Sequence, residues 1–467
     1  MPKIMGMHGF LTSSIGVSSV GVTCAAALTL PLATPAAAAE ARPAPTAQRA
    51  AATATRTPER AAPGGTQSLP LVPLTRDRDG GAAPEQGLHR ERVRRFSLLG
   101  VVWNDPGTEL HGRVQVRTRA AGTGRWSGWQ DVEAHDADHG ADPGTAERAS
   151  GQVRGGTAPL WVGDSGGVDV RVRADAGRAG GVRPRLPSGL RLELVAPGDE
   201  PPPGGPAADP PSNAGLSEAE AAASAVNTDL APFAATEIPA LGRADTEMQL
   251  LALRGDQLTE AQRSKPYIGP RPRIVTRRGW GADESLREKG FVYTQKIKAA
   301  FVHHTASGNN YSCSQASSVI RSIYRYHVRS LRWRDIGYNF LIDKCGTIYE
   351  GRAGGVSKAV RGAHTLGFNE SSMGIAVIGT YGSGKPSSAA VKAIAGLTAW
   401  KLGLYGGNPR GKTYLKSGGG NLYPKGKNVR LNVISGHRDG YATDCPGKRL
   451  YAKLGTARST AARYQGR

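Results

Sequence analysis

The chain has 467 residues, too many for one hydrophobic core, so more than one folded unit is expected. Sixty-three glycines and 31 prolines against 6% aromatic residues mark stretches too poor in apolar bulk to fold, and the lack of G-X-Y repeats, long heptads and multiple apolar spans excludes collagenous, coiled-coil and polytopic membrane classes. The net charge of +22 is uneven: residues 266–467 hold 33 Lys and Arg against 9 Asp and Glu, so a C-terminal unit carries the excess and its partner should be anionic.

From Gly9 to Ala39 no side chain is charged, and Lys3 stands in the short leader before it. The run ends Thr34-Pro35-Ala36-Ala37-Ala38-Ala39-Glu40, a small-residue cleavage pattern that predicts a signal peptide over 1–39 and a secreted chain without stable membrane insertion. The run is long enough to span a bilayer, so an uncleaved anchor is the alternative; Pro31, Pro35 and the Ala/Ser/Thr/Gly content favour cleavage. Cys24 lacks the upstream Leu of a lipoprotein signal. Cleavage leaves Cys313, Cys345 and Cys445, an odd number in an oxidising compartment, so two can pair and one is left over.

Residues 40–93 are Ala/Pro/Arg/Gly-rich and read as disordered. Over 94–197 the texture changes to period-2 alternation: Val114 and Val116, then Val168, Val170 and Val172, then Leu190, Leu192 and Leu194, each interleaved with polar residues. With Gly, Asp and Pro turns this predicts a small all-β sandwich-like domain. Trp103, Trp126, Trp129 and Trp161 could line a sugar-binding face or fill the core. No catalytic constellation stands out in this unit. Residues 198–265 read as a Pro/Ala/Gly-rich linker with a possible helix at Leu216–Val226.

From 266 to 467 strand and helix signals mix. Ala299–His304 reads as a short buried strand, and Ser314–Arg329 is amphipathic at helical spacing. Asn339–Asp343 and Thr347–Glu350 flank the turn Lys344-Cys345-Gly346, a hairpin pattern. Met373–Thr380 is a further apolar strand, Ser387 or Ser388 caps a helix, and Val433–Ser435 leads into Gly436-His437-Arg438-Asp439. The expected architecture is an α/β domain with a mixed central sheet flanked by helices.

The chemistry sits at strand ends. His303 and His304 close one strand, His437 closes another, and Cys445 follows eight residues later. Two imidazoles and a thiolate form a three-ligand zinc set with the fourth position left for water, whose pKa would fall to about 7. The set also gives the odd cysteine a role. A His-His pair on an apolar strand is equally at home as a packed structural feature, and the spacing alone leaves both readings open.

The motifs add a resemblance. Phe301-Val302-His303-His304-Thr305-Ala306, Asp335-Ile336-Gly337-Tyr338-Asn339-Phe340, Gly346-Thr347-Ile348-Tyr349-Glu350-Gly351-Arg352, Gly362-Ala363-His364, Asn369 with Met373-Gly374-Ile375, and Thr443-Asp444-Cys445-Pro446-Gly447 stand in order. With Arg277-Arg278-Gly279-Trp280-Gly281-Ala282 before them, residues 270–455 resemble the peptidoglycan recognition protein and type 2 amidase family. The resemblance implies a mixed sheet bearing a zinc groove, and hydrolysis of the lactyl amide between muramic acid and the stem peptide. It implies His303, His437 and Cys445 as zinc ligands, with His304 packing away from the metal because successive strand residues face opposite sides. Tyr338 and Thr443 match the positions that hold the oxyanion. His364, Asn369, Arg352 and Trp333 fall where the family lines its groove, and a guanidinium there could pair with a stem-peptide carboxylate. The pair Arg332-Trp333 departs from the Gly-Trp often found in diaminopimelate-preferring members, leaving the stem preference open.

Cys313 precedes the first helix of this domain and Cys345 sits in the hairpin, so the two are expected to form a disulfide. The expectation drawn from the whole chain is a secreted, monomeric, zinc-dependent N-acetylmuramoyl-L-alanine amidase acting on peptidoglycan, with the basic surface steering it to anionic wall polymers. The alternative is a non-catalytic peptidoglycan-binding recognition protein, which characteristically lacks the cysteine. Nucleic acid is not an expected partner: the export signal argues against it and no nucleic-acid-binding motif is present.

Overall fold

The computed structural model describes residues 64–74, 84–134, 138–175, 185–198 and 215–467. The signal peptide expected over 1–39 lies outside them, as do residues 40–63. The described part is a β-rich N-terminal domain packed against a C-terminal α/β domain.

The N-terminal domain is built from β1 (Gly65–Pro70), β2 (Val72–Pro73), β3 (Glu85–Arg90), β4 (Phe96–Trp103), β5 (Gly112–Ala120), β6 (Gln130–Val132), β7 (Gly155–Gly156), β8 (Leu160–Ala174) and β9 (Arg191–Ala196), with a helical turn, α1 (Ala146–Ala149), between β6 and β7. All pair antiparallel, in the order β1-β9-β4-β8-β3-β2, with β5 beside β8, β6 beyond β5, and β7 beside β4. The 15-residue β8 joins the two halves, its start pairing with β4 and its remainder with β5 and β3. Leu99, Val101 and Trp103 of β4, Val114 and Val116 of β5, Val168, Val170 and Val172 of β8, and Leu192 and Leu194 of β9 enclose one core. Trp103 and Trp161 are buried, whereas Trp126 and Trp129 lie at the surface, where Arg117 and Arg171 stack on them at 4.2–5.3 Å.

The C-terminal sheet runs β10 (Glu237–Ile238), β11 (Ile274–Val275), β14 (Ile348–Glu350), β13 (Phe340–Ile342), β15 (Ser372–Val377), β12 (Ala299–His304) and β18 (Ile434–Gly436). The pairs β12–β15, β12–β18, β13–β15 and β11–β14 are parallel, and β13–β14 and β10–β11 antiparallel. A separate hairpin, β16 (Lys412–Lys416) with β17 (Asn428–Asn432), packs Leu415 and Leu431 on Ala299 and Phe301. The β13–β14 turn forms because the Asp343 carboxylate accepts the amides of Cys345 and Thr347 at 2.9 Å, with Gly346 supplying the left-handed residue. Cys313 and Cys345 form a disulfide.

Helix α7 (Ser388–Gly403), capped by the Ser387 hydroxyl, lies on one sheet face with α9 (Leu454–Tyr464) against it. Helix α6 (Ala316–Arg325) lies on the other, and its Val319, Ile320 and Ile323 meet Leu98 and Val102 of β4 and Val195 of β9. Strand β4, Phe-Ser-Leu-Leu-Gly-Val-Val-Trp, is apolar on both faces because one lines its own domain's core and the other the interface. Tyr326 Oη donates to Thr157 O at 2.9 Å and Ser330 Oγ to Glu193 Oε2 at 3.0 Å across that interface.

Two expectations are corrected. Residues 40–93 do not lack structure throughout: β1, β2 and β3 belong to the N-terminal sheet. Their polar composition hides them because backbone pairing with β9 and β8 holds them, with only Leu69, Leu71 and Leu88 reaching the core. Residues 215–265 are not linker either. They form α2 (Glu218–Ala225), α3 (Arg243–Arg254) and α4 (Glu260–Ser264), with Leu250 in the core beneath α7 and β10 completing the sheet edge. Helix α2 is the one expected over Leu216–Val226, started by the Ser217–Glu220 capping box, whereas α3, α4 and β10 were not expected. Among the described residues no helix is long and apolar enough to cross a membrane.

Candidate metal centre

Parallel strands β12 and β18 lie side by side, so their C-terminal ends deliver residues to one edge of the sheet. His303, near the end of β12, shares a strand face with Ala299 and Phe301. His437 opens the helical turn after β18, and Cys445 follows in a loop held by Arg438 N–H donating to Cys445 O at 3.0 Å. His303 Nδ1 lies 3.7 Å from Cys445 Sγ, and the His303 and His437 rings are 4.5 Å apart. A fourth residue joins them: one donor atom each of His139, His303, His437 and Cys445 falls within 4.8 Å of every other, and all four residues are buried.

The chemistry of the cluster fits a metal. Neither ring nitrogen of His437 has a hydrogen-bond partner of good geometry, although both are buried. Burial depresses His437 to about 3 against the pull of Asp138, and burial with neighbouring imidazoles holds His303 well below the ordinary range. Both are therefore neutral, the form that ligates. Burial raises the Cys445 thiol to about 11, which a coordinated cation would reverse by taking the thiolate. Imidazole nitrogens and one sulfur are a tetrahedral zinc set.

Around this cluster His364 stands behind His303, its Nδ1 3.3 Å from His303 Nε2, with Thr365 Oγ1 at 3.4 Å. Asn369 Oδ1 accepts the backbone N–H of His364 at 2.7 Å and fixes that loop. His304 faces away and accepts the Tyr381 N–H on Nδ1 at 3.2 Å. The Tyr338 ring lies 5.5 Å from that of His303, and the Thr443 hydroxyl accepts the Cys445 N–H at 3.2 Å. The Trp333 ring packs against that of His327 with centroids 4.4 Å apart, tilted by 39°. Arg352 Nε donates to Ile336 O at 2.9 Å, while its other nitrogens reach Glu147.

Of the substrate-lining residues expected from the sequence, three contact a segment of the N-terminal domain that sequence reasoning missed. Asp142 accepts Gly367 N–H at 2.7 Å and Asn369 Nδ2 at 2.6 Å, and Asn369 Nδ2 also donates to Gly140 O at 2.8 Å. Leu366 N–H donates to Asp138 O at 3.0 Å, and Arg334 N–H to Glu147 Oε1 at 3.1 Å. Gly140 packs beside Trp333. The available signal was Asp138-His139-Gly140-Ala141-Asp142-Pro143-Gly144, an acidic, histidine-bearing excursion richer in chemistry than a plain turn requires.

Residues 293–448 match the N-acetylmuramoyl-L-alanine amidase family, and residues 45–214 match the family described as Rv3811 N-terminal galactose-binding domain-like. Over 185 residues the chain is 30% identical to peptidoglycan-recognition protein SC2 of Drosophila simulans, covering 39% of this chain and 85% of that one. The chain belongs to the peptidoglycan-recognition protein family. It is also 37% identical over 129 residues to peptidoglycan-recognition protein SA of Drosophila melanogaster (27% of this chain, 60% of that one). Against the human N-acetylmuramoyl-L-alanine amidase it is 30% identical over 213 residues, 44% of this chain and 31% of the human protein. Its C-terminal α/β domain is thus that of a peptidoglycan-recognition protein, joined to a galactose-binding-like β domain.

Proposed function

We propose that this chain is a secreted, zinc-dependent N-acetylmuramoyl-L-alanine amidase that hydrolyses the amide between the lactyl group of muramic acid and the stem peptide of peptidoglycan. The convergence of His303, His437 and Cys445 at one sheet edge carries this reading, because a recognition module has no use for a buried thiol between two neutral imidazoles. Zinc held there would polarise the amide carbonyl and bring a bound water to a pKa of about 7.

The chain's own residues do the rest. His364, with Thr365, holds the far nitrogen of His303 and so sets the direction of its ring. Tyr338 stands beside the His303 ring, from where its phenol stabilises negative charge developing on the carbonyl oxygen. The Thr443 hydroxyl, tied to the Cys445 amide, is the second contact for that charge. Arg352 and Asn369 offer a guanidinium and a carboxamide to stem-peptide carboxylates, and Trp333 and His364 wall the groove. Export rests on the 1–39 segment, and the basic surface favours a wall rich in anionic polymers.

The test compares the full chain with its Cys445→Ser variant for zinc content and, at enzyme excess over long incubation, for new L-alanine amino termini from purified peptidoglycan. Stoichiometric zinc and new termini, both lost in the variant, support the amidase. No zinc and no termini with wall binding intact would make the chain a recognition protein.

A further inference from the structure

His139 comes from the N-terminal domain, yet its ring lies 4.6 Å from that of His437 and 5.3 Å from that of His303, inside the donor cluster. Asp138 Oδ1 lies 3.1 Å from His139 Nδ1, a buried carboxylate set directly beside that imidazole. Hydrolytic zinc sites keep three protein ligands and one open position, whereas four protein ligands make a closed, structural site. This cluster has four.

The same segment fills the groove beyond the metal. Asp142 takes the amide of Gly367 and the carboxamide of Asn369, and Glu147 takes Arg352 through two bonds of 3.0 Å. These are carboxylates on the groups that would meet the carboxylates of a stem peptide. The segment is not loosely laid down: the apolar interface of β4 and β9 with α6 holds its parent domain in place.

We propose that residues 138–149 keep the intact chain latent, with His139 as a fourth metal ligand and Asp142 and Glu147 seated where a peptide substrate must bind. The peptide nature of the excluded ligand rests on the amidase reading above; the closed coordination does not.

The full chain and its His139→Ala and Glu147→Ala variants are loaded with cobalt(II), and acetohydroxamate is added while the visible spectrum is followed. The intact chain should keep its spectrum, and His139→Ala, with a position opened, should shift. Soluble muropeptide should bind Glu147→Ala at least about tenfold more tightly than the intact chain, the worth of one displaced charge-assisted pair. If His139→Ala fails to fold, the Glu147→Ala affinity, in a variant that keeps every ligand, decides the matter. A spectral shift in the intact chain equal to that of His139→Ala overturns the proposal, as does equal muropeptide affinity of intact chain and Glu147→Ala. Spectra and affinities as expected, with no amino termini released by any variant, would uphold the closed site and remove only the amidase reaction.

Discussion

The two carboxylate oxygens of Glu147 each lie 3.0 Å from a guanidinium nitrogen of Arg352, joining two domains through a bidentate pair from which water is almost wholly excluded. Both partners are held from behind. Arg352 donates to Ile336 O, and Glu147 also accepts the Arg334 amide. A buried pair of this kind is costly to break from one side, because the remaining charge stays desolvated. The contact therefore couples the covering segment to the groove rather than decorating the surface.

His364 acts through His303. Replacing it with alanine removes the group facing His303 Nε2 and should weaken zinc retention by roughly 10–100-fold, the usual worth of an outer-sphere partner. Competition with a chromophoric chelator measures this. His364→Gln, which can still hydrogen-bond, should recover part of the affinity; equal retention in all three proteins would assign the residue to packing alone.

Gly100 of β4 faces Tyr326, and a Cβ there would stand 2.5 Å from the phenol oxygen. Gly100→Ala should therefore displace Tyr326, break its bond to Thr157 O and destabilise the folded chain by about 1–3 kcal/mol in denaturant unfolding. Adding Tyr326→Phe removes the nearest clashing atom. The double variant should thus lose less than the sum of the two single losses, and strict additivity would show the domains do not meet there.

Glu350 links the first helices of the α/β domain to its sheet. It accepts Asn227 Nδ2 at 3.0 and 3.1 Å and the Arg277 amide at 3.2 Å, with Glu284 nearby. Burial raises its carboxyl to about 7, with Asn227 and Arg277 opposing. A raised folded-state value means stability present below the unfolded value, about 4.3, and lost as pH climbs to about 7. At pH 8 the ionised group should cost up to about 4 kcal/mol. Urea unfolding of Glu350→Gln should show the variant gaining on the native chain between pH 5 and pH 8; parallel pH curves would contradict this.

How far the sequence discloses this arrangement depends on where each interaction originates. Ala299–His304 was legible because six consecutive residues are buried on both faces, which leaves an unbroken apolar run. Cys445 was legible through arithmetic, because among the described residues the other two cysteines, Cys313 and Cys345, are paired. Strands β1 and β3 were not, because Thr66, Gln67 and Ser68 are held by backbone pairing with β9 and carry no pattern of their own. Helix α2 was legible as the helix expected over Leu216–Val226, whereas α3, of which only Thr246 and Leu250 are buried, offers too narrow an apolar stripe to stand out. His139 had only a weak local signal, the acidic, histidine-bearing run Asp138–Gly144. Its meaning comes from the docking of one domain on another, and no window along the chain contains both sides of that contact.

Consider what severing the chain at Pro266 would do. The fragment would forfeit edge strand β10, the plug of Leu250 beneath α7 and the grip of Asn227 on Glu350. It would also bare Val328, Leu331 and Trp333, which pack in one cluster with Leu98, Val102, Trp161 and Val195. Such a fragment would be adhesive and poorly folded, and what it failed to bind would say little about the intact chain.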